Sequence, residues 1–402
     1  MKQQKYGKVK IALMLVITYA FAKFQGGFAS WFLFYSSLVF ILYQILAYAL
    51  MFTGLHVTRE IDRNRLKDGE NIIVTLRMRR RFWFPFGWNM VIEPLPDKIA
   101  GYYHPHRQVI YPWFKREIEM KYVIPSLPRG WYQLTACEVR GGDFFGFIER
   151  TKIFPLHNDF LVYPAYRQIT HWPTGDGRMS GNVHVTHRRS DDVAAVRGVR
   201  EYQRGDRLTQ IHWRASARGH GLKTKEFEHQ AMNQVVFFLD VEKDHYQQDD
   251  NKLFEVAVSL TASLVNYTSR RNYHYGLITF QKERVHIPPA HSHSHFFRVF
   301  DQLARVMPEG EESFSRLLGR ESLEYSQGVT ITVITPSLER KMLARLVELA
   351  NGGRSVQLFY VHKEANLPPE ITKSLQMLKA NKIICQSVHL KEYEDVKRIG
   401  GA

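Results

Sequence analysis

"QVVFFLDVEKD", Gln234–Asp244, is the stretch on which the fold turns. Five consecutive apolar residues, Val235–Leu239, stop abruptly at Asp240, with Glu242 and Asp244 close behind. A half-exposed strand alternates apolar and polar residues, whereas an unbroken apolar run suits a strand buried on both faces. Downstream the pattern repeats. Helical periodicity from Asn251 to about Arg271 is followed by the strand-like "YGLITF" (275–280), then by the helical "SHFFRVFDQLARVM" (294–307). "VTITVIT" (329–335), a helix from Leu338 to Ala350, "SVQLFYV" (355–361) and "NKIICQSV" (381–388) continue the alternation. Strands separated by helices predict a doubly wound α/β domain with a parallel sheet over residues 231–402. "ERVHIPP" (283–289) adds an antiparallel edge strand beside Tyr275–Phe280.

Upstream the period changes. Residues 56–165 carry alternating segments such as "ENIIVTLRMRR" and "REIEMKYVIP", with turn chemistry at "EPLPDK", "PSLPRG" and "VRGGD". Without long helical periodicity, they predict a small antiparallel β-sandwich. Arg77–Trp88, "RMRRRFWFPFGW", mixes arginines with aromatics and is expected to touch a membrane surface rather than stack on bases.

The N-terminus is of another kind. Ile11–Gly54 spans 44 residues with Lys23 as its one charge. A bilayer core takes about 20 apolar residues per helix. Two spans, near Tyr6–Phe24 and Ser30–Phe52, are therefore expected, broken at Gln25, Gly26 and Gly27, so residues 1–55 read as a helical hairpin anchor. A cleavable signal is the rival for the first segment. Lys2, Lys5, Lys8 and Lys10 before the pair, and Arg59, Arg63, Arg65 and Lys67 after it, place both termini in the cytoplasm.

The net charge of +16 raises the question of nucleic acid, but nine Lys or Arg against two acids fall in residues 1–67, where anionic lipid uses them. Nucleic acid is not the expected partner. Cys137 and Cys385 lie far apart in strand-like runs, which argues for core thiols in a reducing compartment.

Residues 166–230 join the two folded regions and hold "REYQRGDRLTQIHWRASAR" (200–218) and "LKTKEFE" (222–228). Asp206 as N-cap, then Leu208, Ile211 and Ala215 on one face, and Gly219 and Gly221 beyond the end, predict a helix over Arg207–Arg218. Ile211 and Trp213 are expected to pack on the α/β domain. Arg200, Arg214 and Arg218 are expected to pair with Asp206, Glu226 and Glu228 as a structural clasp. The same segment admits a catalytic reading through His212, Ser216 and Asp206, or a phosphate- or DNA-binding one through its arginines. No nucleophile elbow or phosphate loop accompanies it. His291, His293 and His295 are expected in a loop ahead of a helix capped by Ser294, and carry no assigned role.

In this order of segments the chain resembles the bacterial domain-of-unknown-function family numbered fifty-eight. Arg129, Gly130 and Tyr132, then Asp143, Phe145 and Gly146, match its RG-x-Y and D-x-FG elements. Arg200, Tyr202, Gly205, Asp206, Ile211, Trp213, Ser216, Ala217 and Arg218 match its central motif, and Lys225, Glu226 and Glu228 its K-E-x-E tail. The resemblance implies a last domain similar to the von Willebrand factor type A fold, whose D-x-S-x-S loop falls on Asp240, Glu242 and Asp244. Acids replace both serines there. Carboxylates suit a hard cation but the hydroxyl geometry is absent, so no cofactor is expected, a divalent cation being the alternative. The resemblance also implies a MoxR-type AAA ATPase as protein partner. The resulting expectation is a non-catalytic membrane-anchored adaptor, with a hydrolase or an anion-binding module as alternative.

Overall fold

The computed structural model describes residues 2–82, 87–96, 99, 106–170, 172, 196–203, 208–218, 221–227, 234–247, 251–326 and 328–391. It is a multidomain chain of two compact units, one built on residues up to Ala165 and one beginning at Tyr166.

The first unit opens with two helices, α1 (Lys2–Gln25) and α2 (Phe28–Leu50), joined at Gly26 and Gly27. Both glycines have positive φ, +58° and +117°, a conformation that side chains with a Cβ resist. The helices touch through small and polar residues: Thr18 and Ser37 hydroxyls lie 3.1 Å apart, and the rings of Tyr19 and Phe34 5.5 Å apart. Small residues let helix backbones approach closely. Of the two spans expected, α2 alone is long and apolar enough to cross a membrane. In α1 only Ile11–Ala22 separates Lys10 from Lys23. Those twelve residues rise about 18 Å, short of a ~30 Å hydrocarbon core.

Two sheets follow. β1 (Leu55–Ile61), β3 (Ile72–Arg80) and β6 (Glu117–Ile124) form the smaller, in the order β1-β3-β6. β2 (Arg65–Lys67), β8 (Glu149–Tyr163), β7 (Gly130–Gly142), β4 (Trp88–Glu93) and β5 (His106–Ile110) form the larger, in that spatial order. β3 and β6 bury every second side chain, as their alternation requires. One hydrophobic cluster draws on both sheets, including Leu76, Met120, Leu134 and Val162. The pairing is antiparallel except between β2 and β8, which run parallel. Gly141 and Gly142, expected in a turn, lie inside β7 instead. A Cβ on Gly142 would stand 2.5 Å from the Trp88 ring, and one on Gly141 2.8 Å from Met51 Sδ. Close approach, not a turn, requires them.

In the second unit a six-stranded sheet has the order β13-β12-β11-β14-β15-β16. These strands are β11 (Gln234–Leu239), β12 (His274–Phe280), β13 (Arg284–Ala290), β14 (Val329–Thr335), β15 (Ser355–His362) and β16 (Ile384–His389). All neighbours run parallel except β13, an antiparallel edge beside β12. Helices occupy Lys252–Arg270, His293–Arg305, Phe314–Glu321, Arg340–Asn351 and Pro369–Ala380. Nearly every residue of Lys252–Arg270 from Leu253 to Thr268 is buried. Trp172 is buried beside it, its ring 5.6 Å from Tyr267 and 6.1 Å from Phe237. A separate two-stranded ribbon pairs β9 (Val196–Glu201) with β10 (Lys223–Phe227).

Candidate functional site

The ribbon brackets the motif of residues 200–228, with Arg200 in β9 and Lys225 and Glu226 in β10. Helix Arg207–Arg218 is not formed among the described residues. Leu208–Gln210 makes a 3-10 turn, Ile211 bridges Thr224 as in a strand, and only Trp213–Ser216 is helical. The backbone between is claimed by β10: His212 N–H donates to the Lys223 carbonyl at 2.8 Å, and Tyr202 N–H to that of Leu222 at 2.9 Å. Ala215 N–H donates to His212 Nδ1 at 3.0 Å, so the imidazole caps the short turn. Ser216 Oγ accepts from Lys223 N–H at 2.8 Å and donates to the His212 carbonyl at 3.1 Å. His212 and Ser216 of the catalytic reading are thus tied to backbone, while its third residue, Asp206, lies outside the described residues.

Ile211 is buried as expected, but Trp213 is 65% exposed. The tryptophan that enters the second unit's core is Trp172. Leu208 and Leu222 stand exposed as well. Arg214, Arg218 and Lys223, with His212 and Ala215, line a hollow of about 560 Å³. Arg218 and Ala217 are exposed. Arg200 Nη1 donates to the Glu201 carbonyl at 3.0 Å. Gly205, Asp206 and Glu228 lie outside the described residues, as do the side chains of Lys225 and Glu226 and most of Arg77–Trp88's aromatic centre.

The other motif lies in the first unit. Arg129 is buried. Tyr132 folds back over Gly130, where a Cβ would meet its ring at 3.1 Å, and donates to the Pro128 carbonyl at 2.8 Å. Asp143 ends the β7–β8 hairpin's first strand and accepts backbone N–H bonds from Phe145 (3.0 Å) and Ile148 (2.7 Å). Gly146 turns the loop at φ +74°.

At the carboxyl end of β11 the carboxylates behave differently from expectation. β11 connects to β12 on one side, and β14 lies on its other, so the end of β11 flanks the point where the strand order reverses, where open sheets place ligands. Asp240 is fully buried there. Its Oδ1 accepts from Glu242 N–H at 2.9 Å, and its Oδ2 from the Thr335 hydroxyl at 2.6 Å and faces His245 Nδ1 at 2.8 Å. Glu242 Oε2 accepts from Phe314 N–H at 2.8 Å. Asp244 does not join them and instead accepts from Gln247 at 2.9 Å. The third member is His245, which brings its ring nitrogen to within 4.8 Å of both carboxylates.

Burial pulls the His245 pKa down, but the hydrogen bond to Asp240 and the charges of Asp240, Glu242 and Glu339 outweigh it and lift it to about 8. The buried carboxylate thus has its counter-charge from within the chain. The loop set that the resemblance implies is not the one assembled: Asp244 is turned away and His245 takes its place, so Asp240, Glu242 and His245 are the three residues that could hold a metal ion. His245 was legible only as a histidine five residues past a strand-ending acid. The histidines 291, 293 and 295 do not converge: His291 faces the Ser269 carbonyl, His295 the Tyr275 carbonyl, and Ser292, not Ser294, caps the helix.

Comparison places these motifs. The family described as "Protein of unknown function DUF58" matches residues 198–370. The "Uncharacterized protein YeaD" of Bacillus subtilis (strain 168) is 32% identical over 368 residues, covering 89% of this chain and 88% of its own. The chain belongs to the DUF58 family. Among solved structures, the PilB minor pilin of Streptococcus sanguinis matches at 10% identity and TM-score 0.30, over 79% of this chain and 88% of its own. Spo0M, the sporulation control protein of Bacillus subtilis, matches at 11% identity and TM-score 0.15, over 27% of this chain and 49% of its own. At such scores neither bears on the fold of a DUF58 chain.

Proposed function

We propose that this chain is a membrane-anchored, non-catalytic adaptor that presents the ribbon face to a protein partner. The observation that carries it is the division of labour in the motif. His212 Nδ1 and Ser216 Oγ bond backbone groups, while Trp213, Arg214 and Arg218 are exposed. Exposed Trp and Arg side by side are the residues that dominate protein interfaces. Among the described residues the hollow is lined by Arg214, Arg218 and Lys223 and by no carboxylate, which favours an acidic partner surface. The family resemblance supports a MoxR-type AAA ATPase in that role. In this reading α2 crosses a bacterial cell membrane. Arg59, Arg63, Arg65 and Lys67, which follow it, support a cytoplasmic placement of the C-terminus. The first unit acts as a β-sandwich and the second as a von Willebrand A-like domain.

The test is recovery of the ATPase from crosslinked membranes, with and without ATP. Removing an aromatic anchor costs about 2 kcal/mol or more, so Trp213→Ala is expected to lower recovery at least about tenfold. Unchanged recovery from a folded Trp213→Ala chain would overturn the docking role. A turnover lost in a folded Ser216→Ala chain would restore the hydrolase reading.

A further inference from the structure

One group of exposed aromatics in the first unit adjoins α2. Phe145, 59% exposed, has its ring 4.8 Å from Phe40 and 6.2 Å from Tyr43, both on α2. Phe147 lies 5.7 Å from Phe40. Phe144 meets Trp113 at 5.5 Å, and Tyr111 and Phe114 flank that tryptophan, exposed like it. Trp113 sits at φ +45°, a backbone region bulky residues avoid. Lys115 and Arg116 follow at once, both exposed. Aromatics interleaved with cations are the composition of a membrane interface.

The depth is set by α2. Its 23 residues rise about 34 Å, some 4 Å more than a ~30 Å hydrocarbon core. Gln44 is six residues and Phe40 ten residues before Leu50, hence about 9 and 15 Å back from the helix end. A helix that spans the core therefore carries the Phe144–Phe147 loop past its boundary. Such depth penalises polar groups. The loop's one carboxylate meets that condition. Asp143 is buried, Gln44 Nε2 donates to its Oδ2 at 2.9 Å, and the Phe145 and Ile148 N–H groups complete its bonding. Arg150 sits toward the helix end, donating to the Tyr48 carbonyl at 2.6 Å with its guanidinium 4.4 Å above the Tyr48 ring.

We infer that the Asp143–Ile148 loop, with Trp113 beside it, is a membrane-penetrating element: it enters the acyl region alongside α2, and Gln44 shelters its acid. The occupant is an anionic bilayer. The inference rests on α2 being a span, and the test separates the two.

Single cysteines at Phe145, Phe144, Val39 and Lys121 would each carry an environment-sensitive fluorophore in a Cys385→Ser chain, reconstituted in phosphatidylglycerol–phosphatidylethanolamine vesicles. Nitroxides on headgroup or acyl chain and aqueous iodide serve as quenchers. The Phe145→Cys and Phe144→Cys labels are expected to be quenched severalfold more by acyl-chain nitroxide than the Lys121→Cys label, and severalfold less by iodide. If both loop labels follow Lys121→Cys while Val39→Cys stays lipid-quenched, the loop is not inserted although the helix is. If Val39→Cys itself is iodide-quenched, the span fails and the loop with it. A Trp113→Cys label repeats the measurement without altering the hairpin.

Discussion

His245 shows what a single ring does in this protein. Its partner Asp240 is fully buried, and an unpaired carboxylate there would be costly. With a pKa of about 8 in the folded chain against 6.5 for the free side chain, folding binds the proton more tightly. The stabilisation is full below pH 6.5 and fades as pH rises through 8, amounting to about 2 kcal/mol at most. The wild-type melting temperature is expected to fall between these values, and His245→Gln to remove that fall while lowering stability at pH 6. An identical slope in the variant would show that the proton resides elsewhere. Asp240 was legible from its place at a strand end. Its partner was not, because a histidine in "KDHYQ" has nothing in its neighbours to say which way it turns. The exposure of Trp213 and the burial of Trp172 were equally hidden, for both sit in polar surroundings. Cys137 is a core thiol as expected, whereas Cys385 is half-buried against the core; burial raises both, Cys385 to about 11, and the first is further raised by Glu93.

Among the elements, the buried parallel strands were read easily because sequence and burial coincide: "VVFFL" has no polar face to misplace. The helix over Arg207–Arg218 was not, since local periodicity is blind to pairing between Ile211 and Thr224, thirteen residues apart. Long-range pairing overrode propensity. The glycines of β7 misled in the same way, because Gly-Gly marks a turn more often than a point of contact. Gly142→Ala is expected to destabilise the first unit by about 1–3 kcal/mol, the usual range for overpacking, since Trp88 blocks the new methyl group. Thermal unfolding measures it. A neutral outcome would mean that the indole moves aside freely.

At the scale of the whole molecule, the proposed reading makes α2 the element that sets its location. An arginine at the centre of a spanning helix costs about 2.5–3.5 kcal/mol to insert. Val39→Arg, midway along Phe28–Leu50, is expected to move chain from the carbonate-resistant membrane fraction to the supernatant. Unaltered partitioning would show that α2 does not carry the attachment. The join beyond α2 matters as much. Met51 caps the helix and, with Phe52, is buried in the first unit's core, and β1 begins at Leu55. Such a join is an axle rather than a leash. With α2 in a bilayer, spinning of the helix about its axis must turn the described strands of the first unit with it, so the rotational diffusion of that unit would be governed by the drag of the lipid rather than that of water.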